Sequence, residues 1–262
     1  MAKVNYLNNK DMLAEIHKSK ATYCSYLTPE DQAYDLILPS VDKINRLSIA
    51  EGKRERAKRL TKLTGEVVDS KDITNQDVVF RIMTFDHIPN SDRKNKPKTV
   101  ADSKAKVHFP PFQHWRFTDK KELICVGKSH WKDGLSNGSF NTTHGKFTNK
   151  LAKMFLLLTA RYGTRGNWRG YTYNDEMQGQ ALMQLSQIGL QFDESKSDNP
   201  FAYYTAAITN SFTRILNVEK KNQSLRDDIL QENGMTPSHT RQMEWEIKQK
   251  AERDLREKES KF

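Results

Sequence analysis

Cysteine is nearly absent from this 262-residue chain, where only Cys24 and Cys125 occur. Two cysteines exclude a disulfide framework and a cysteine-rich zinc module, and reduced thiols in a cytoplasm are the simple expectation. No run reaches the ~18 apolar residues of a spanning helix. The opening MAKVNYLNNKDMLAEIHKSK has no apolar stretch of the kind a secretory leader carries. Neither secretion nor a membrane partner is expected. Apolar residues are scarce, at 36% against 29% charged, with mean hydropathy −0.82, which predicts a modest core under a heavily solvated surface. Acidic residues are in deficit. The 43 Lys and Arg against 33 Asp and Glu leave a net charge of +10, and an isoelectric point near 9.4 favours a polyanionic partner bound with salt-sensitive affinity. Phosphate loops, Ser/His/Asp arrangements and paired carboxylates on one helix face are also missing, and TRGNWRG is a poor match to a nucleotide-binding loop. The expectation is a protein that is not an enzyme and uses no cofactor.

What is present is mostly helical patterning. Residues 8–20 read as a short helix capped by Asn8 or Asn9, with Met12, Leu13 and Ile16 on one side. Thr28, Pro29 and Glu30 predict a second helix, with Val41, Ile44 and Leu47 continuing its stripe. The basic EGKRERAKRLTKL that follows reads equally as a solvated helix face or a nucleic-acid contact. Residues 73–88 and 114–128 carry β-branched and aromatic residues in short runs and suggest strands. Between them SDRKNKPKTVADSKAK reads as a basic loop, and DGLSNGSFNTTHGK as turns. After 146 the periodicity sharpens: Leu151, Met154, Phe155, Leu158 and Tyr162 share one helical face, and Met177, Ala181, Leu185, Ile188 and Phe192 share another. Asn199 and Pro200 open a third helix whose apolar side is Phe201, Ile208, Phe212 and Ile215. A helix over 223–232, stopping at Gly234, and a last one opened by Thr236 and Pro237 complete the reading. The last has a thin seam of Met243, Ile247, Ala251 and Leu255 under mixed charge, which suits a partner-dependent helix.

Two faces carry candidate chemistry. On the helix at 175–192 a polar, almost uncharged stripe of Glu176, Gln180, Gln184, Gln187 and Gln191 lies opposite the apolar one. On the next helix, steps of three and four from Tyr203 reach Ala206, Ala207, Asn210, Thr213, Arg214 and Asn217. That face is small, hydrogen-bonding and finally cationic. An aromatic there can stack on an unpaired base, the amide and hydroxyl can reach base edges, and Arg214 with Lys220 and Lys221 can hold phosphates. His87, His108, His114, His130 and His144 with Cys125 invite a metal-nuclease reading of residues 87–144, but no spacing among them matches a tight ligand pair, and surface histidines are the plainer account. Phe109, Phe112, Trp115, Phe117 and Trp131 read first as the core of a small β unit and second as a stacking surface.

The stretch WRGYTYNDEMQGQALMQLSQIGLQFDESKSDNPFAYYTAAITNSFTRILNVEKKNQ resembles region 2 of sigma factors, in particular the late-transcription sigma of T-even-like phages, and VNYLNNKDMLAEI is similar to that family's opening. The most specific piece is a helix ending in FD, the linker DESKSDNP, and an FAYYT helix ending in EKK. The resemblance covers 1–16 and 147–223. It implies a sigma factor that directs a bacterial-type RNA polymerase to phage late promoters through a −10-like element, in the cytoplasm of the infected host. It assigns core-polymerase binding, at the clamp helices of the largest subunit, to Asp175, Glu176, Gln180, Gln184 and Gln187. It assigns promoter DNA binding to Tyr203, Tyr204, Asn210, Thr213, Arg214, Asn217, Lys220 and Lys221, with Tyr203 capturing a flipped base. A phage co-activator and the replication sliding clamp are further partners of the family. The chain departs from it in three places: Ala206 and Ala207 stand where housekeeping sigmas carry two tryptophans, no second helix-turn-helix domain follows 223, and the closing AERDLREKESKF has only Leu255 and Phe262 apolar beyond its alanine. The runner-up is a phage DNA-processing nuclease with its site in 87–144. The expected fold is mainly α: N-terminal helices over 1–69, an α+β insert at 70–145, a sigma region 2-like domain at 146–222, and a charged C-terminal helical tail at 223–262.

Overall fold

The computed structural model describes residues 7–89, 95, 97 and 99–259. Residues 1–6 of the resembling opening, Asn90, parts of the basic loop (91–94, 96 and 98) and residues 260–262, Phe262 among them, lie outside the described residues.

The Asn8 side chain accepts a hydrogen bond from the Asp11 amide at 2.7 Å and starts α1 (Asn9–Ala21), with Met12 and Ile16 fully buried. The chain then departs from the sequence reading. Thr28 and Asp31 form a capping box with Pro29 in first place, yet they close only a 3-10 turn, Pro29–Gln32. Leu36–Leu38 runs instead as a strand paired with Phe80–Ile82, and Pro39 favours extended backbone at Leu38. The helix expected from Thr28 begins instead at Asn45, whose side chain accepts from the Leu47 and Ser48 amides and opens α2 (Arg46–Thr64). Leu47 is exposed rather than part of an apolar stripe.

The strands are β1 (Cys24–Tyr26), β2 (Leu36–Leu38), β3 (Phe80–Met83), β4 (Phe112–Phe117) and β5 (Leu123–Ser129), ordered β1-β5-β4-β3-β2. All neighbours are antiparallel except β2 and β3. A hairpin of β6 (Trp131–Lys132) and β7 (Ser139–Phe140) follows. The protein is therefore α+β, which corrects the expectation of a mainly α fold. Both edge strands come from residues before 70 and were missed because three residues are too few to display alternation.

The sheet separates two cores. On one side Phe80 and Ile82 pack with Ala57 of α2, Ile73 and Val78. On the other, Phe109 and Phe112 join Met12 and Ile16 and the inner faces of the later helices. Side-chain alternation lets β4 serve both, Phe112 facing one core while Trp115 and Phe117 pack against the other, and a register shift opposite His114 and Trp115 leaves Val126 of β5 as the extra residue.

Those later helices are α3 (Asn149–Gly163), α4 (Asn174–Ile188), α5 (Pro200–Glu232) and α6 (His239–Glu259). The predicted stripes are largely inside: Leu151, Met154, Met177, Ala181, Leu185, Ile208 and Phe212 are all fully buried. The segment at 223–232 is no separate helix but the continuation of α5, because neither Gly nor Pro interrupts the chain until Gly234, at φ +70. Asp227 accepts the Ser238 amide and hydroxyl at 2.8 and 2.7 Å and so fixes the turn into α6. Met243, Ile247 and Leu255 of α6 are exposed. No helix among the described residues is long and apolar enough to cross a membrane.

A buried ion cluster holds the α4–α5 linker against α1 and the sheet. Lys20, 1% exposed, donates to Phe192 O at 2.6 Å and to both Glu194 carboxylate oxygens at 2.8 Å. His17 and Arg81 approach the same carboxylate at 3.4 and 3.9 Å. Burial pushes the Glu194 carboxyl up, but Lys20, His17 and Arg81 outweigh it and hold it well below the usual carboxylate range. Glu194→Ala should cost about 3–5 kcal/mol, because Lys20 is left charged and buried. Urea unfolding measures it, and Glu194→Gln combined with Lys20→Met should recover part of the loss; a cost below about 1 kcal/mol for Glu194→Ala would refute the account.

Candidate nucleic-acid interface

The helix pair α4 and α5 is set by local chemistry before it is set by packing. Asn199 caps the Ala202 amide at 3.2 Å and Pro200 takes the first helical position, so α5 starts where the linker ends. Asn9 of α1 accepts the Phe201 amide at 3.2 Å. Where α4 ends, the Gly189 carbonyl accepts the Tyr204 hydroxyl. Tyr204 is fully buried and packs on Phe155. It is thus a core residue joining α3, α4 and α5, which corrects its assignment to the DNA-binding set: the position after Tyr203 lies a hundred degrees round the helix, on the inner side.

Tyr203 is half-buried, against Phe192 and Tyr204 at ring separations of 5.8 and 5.2 Å. Burial raises its phenol pKa, so the ring stays neutral. It borders two hollows. One, of about 410 Å³, lies between the helices and is lined by Gln180, Gln184 and Ile188 of α4 and by Tyr203, Ala206, Ala207, Asn210, Ser211 and Arg214 of α5. The two faces read separately from the sequence meet in this groove. The small Ala206 and Ala207 leave it open. The other hollow, of about 520 Å³, is walled by Tyr203, Phe192, Asn199, Phe85, Val100 and Pro110 among others. Phe85, Val100 and Pro110 were not anticipated, and no local signal would have found them, because a distant loop brings them to the start of α5.

The remaining expected residues lie outside both hollows. Asp175 and Glu176 are exposed in the first turn of α4, where carboxylates suit the helix N-terminus. Gln187 is exposed, as are Thr213, Asn217, Lys220 and Lys221 along the outer side of α5. On α5, Thr213, Asn217 and Lys221 recur at helical spacing with Lys220 beside them, a strip that ends in cations and is able to follow a phosphate backbone.

The basic segment of α2 resolves toward a structural role at two of its cations: Arg59 and Arg56 reach the buried Asp35 carboxylate at 2.8 and 3.5 Å. The histidines are mostly internal rather than at the surface. His114 and His130 are fully buried, His87 Nε2 lies 2.9 Å from Ser129 O, and His108 Nε2 lies 2.9 Å from Thr142 O. Among the described residues no three His, Cys, Asp or Glu side chains are grouped to hold a metal ion. Phe109 and Phe112 are core, and Trp115 and Phe117 pack against the second core. Comparison with family models, with curated proteins and with solved structures finds no match.

Proposed function

We propose that this chain is a sigma-type specificity subunit, which binds a bacterial-type RNA polymerase core through the amide-bearing face of α4 and a −10-like promoter element through the outer face of α5. On this reading it serves phage late promoters in the cytoplasm of the infected host. The observation that carries it is the α4–α5 groove, where Gln180 and Gln184 stand across from Tyr203, Asn210 and Arg214. The resemblance of 168–223 to sigma region 2 gives those two sides their separate partners. Ala206 and Ala207 remove bulk from the face that would part the strands, so an AT-rich element that opens at low cost is the matching promoter.

Run-off transcription with host core polymerase tests this directly. A discrete start that needs the protein and disappears when the element is scrambled is the expected result. Core binding without a specific transcript would overturn the specificity role, and loss of both would remove the polymerase altogether. Within the same complex, Lys220→Ala with Lys221→Ala should weaken promoter binding evenly across sequences. The slope of log affinity against log salt should fall by about 2, one for each phosphate contact removed. An unchanged slope would take these lysines off the backbone.

A further inference from the structure

A third hollow, of about 690 Å³, opens between α1, the 3-10 turn and α2, with Arg81 of β3 among its walls. Neither face of the proposed interface includes it. Lys18, Arg59 and Arg81 line it with His17, and Glu30 is the single carboxylate among the lining residues. The rings of Tyr26 and Tyr34 supply an aromatic wall.

Arg81 is the informative residue. It is 3% exposed, and its guanidinium lies 3.8 Å from the Tyr34 ring and 3.9 Å from the Phe112 ring. Its Nε donates to His114 Nε2 at 3.0 Å, which fixes the plane of the fork. Its Nη1 has no hydrogen-bond partner, and Glu194 Oε1 stands off at 3.9 Å. A buried cationic donor left unmade is costly, and it persists where the missing acceptor comes from elsewhere. The nearby carboxylates are already engaged, Glu194 by Lys20 and Asp35 by Arg59.

We propose that this cavity binds a phosphoryl group carried on a nucleotide-sized ligand. Four donor-bearing side chains line it, of which Lys18 also pairs with Glu15 at 3.0 Å and Arg59 with Asp35 at 2.8 Å while Arg81 Nη1 is unpartnered, and a tetrahedral phosphoryl with three terminal oxygens can meet more of them than a two-oxygen carboxylate can. The volume beyond the cations, beside Tyr26 and Tyr34, accepts a planar ring. His17 and Arg81 face both the cavity and Glu194, so occupancy is transmitted to the linker between α4 and α5.

Thermal unfolding of the full chain tests the site, with inorganic pyrophosphate, a nucleoside triphosphate and a 5′-phosphorylated oligonucleotide as probes at physiological salt. The expected result is a rise of about 3 °C near saturation. Apparent affinity should fall at least tenfold in Lys18→Glu, a side chain that is 66% exposed, and in His17→Ala, while Lys120→Ala, at an exposed position in the turn between β4 and β5, keeps the full shift. A response to the nucleotide places the phosphoryl on a free nucleotide; a response to the oligonucleotide alone places it on a nucleic-acid end. No shift with any probe, or a shift that both α1 variants retain, overturns the site.

Discussion

Tyr203→Ala is expected to lower open-complex formation by roughly tenfold to a hundredfold, because an aromatic side chain stacked on an unpaired base contributes about 1–3 kcal/mol. Affinity for core polymerase should stay within about twofold, since Tyr203 belongs to α5 and the proposed docking face to α4. Tyr203→Phe should keep most of the activity, the ring rather than the hydroxyl being the working part. Permanganate reactivity of promoter thymines measures strand opening, and gel filtration measures core binding. Equal loss of both would remove the role assigned to this side chain. The neighbouring position separates stacking from folding: Tyr204→Ala empties a fully buried site and strips the Gly189 carbonyl of its donor, so it should cost about 3–5 kcal/mol of stability before any function is considered.

The contrast between these two tyrosines shows where a sequence is readable. Helical period alone separates an inner from an outer face, and the stripes of α3, α4 and α5 are buried largely where the spacing put them. The same period could not say how far Tyr203 would sink, since its depth depends on Phe192 arriving from the end of α4. Caps were legible in part: Asn8, one of two candidates, and Asn199 start their helices as their side chains require, whereas Thr28 opens only a 3-10 turn and Asn45 carried no signal that the spacing picked out. The sheet was not. Its edge strands are three residues long and pair across wide separations, β1 with β5, so no local window contains the information that makes them strands. Nor could composition reveal that Lys20 and Glu194, ordinary surface residues by type, would meet with both side chains nearly inaccessible. The second hollow beside Tyr203 fails for the same reason, its far wall being loop residues that meet α5 only in the folded chain.

Acid should unfold this protein well above the pH at which its carboxylates titrate. Three histidines are held neutral in the fold. Burial pushes His87 down to about 4, and burial with the neighbouring His108, His87 and His144 pushes His130 down to about 3. Burial and then the adjacent Arg81 hold His114 well below the ordinary imidazole value. In the unfolded chain all three titrate near ~6.5. As pH falls below that value the unfolded state takes up protons that the fold refuses, so stability is fully present above about 6.5 and declines toward the folded values. His87 and His130 each contribute about 2 kcal/mol of loss between pH 7 and pH 5, roughly 4 kcal/mol together, and His114 acts in the same direction. That is comparable with the whole stability of a typical domain, about 5–15 kcal/mol. Glu194 acts in a separate window: its depressed carboxyl contributes stability that is lost only as pH falls below about 4.5. Urea unfolding at half-unit steps from pH 7.5 to 4.5 should therefore show a steady loss with no plateau near pH 5.5. His87→Gln, which keeps a donor for Ser129 O, should make the loss between pH 7 and pH 5 measurably shallower. A stability that stays level between pH 7 and pH 5 would mean that these imidazoles take up protons without opening the fold, and that the core around β4 and β5 is looser than their burial implies.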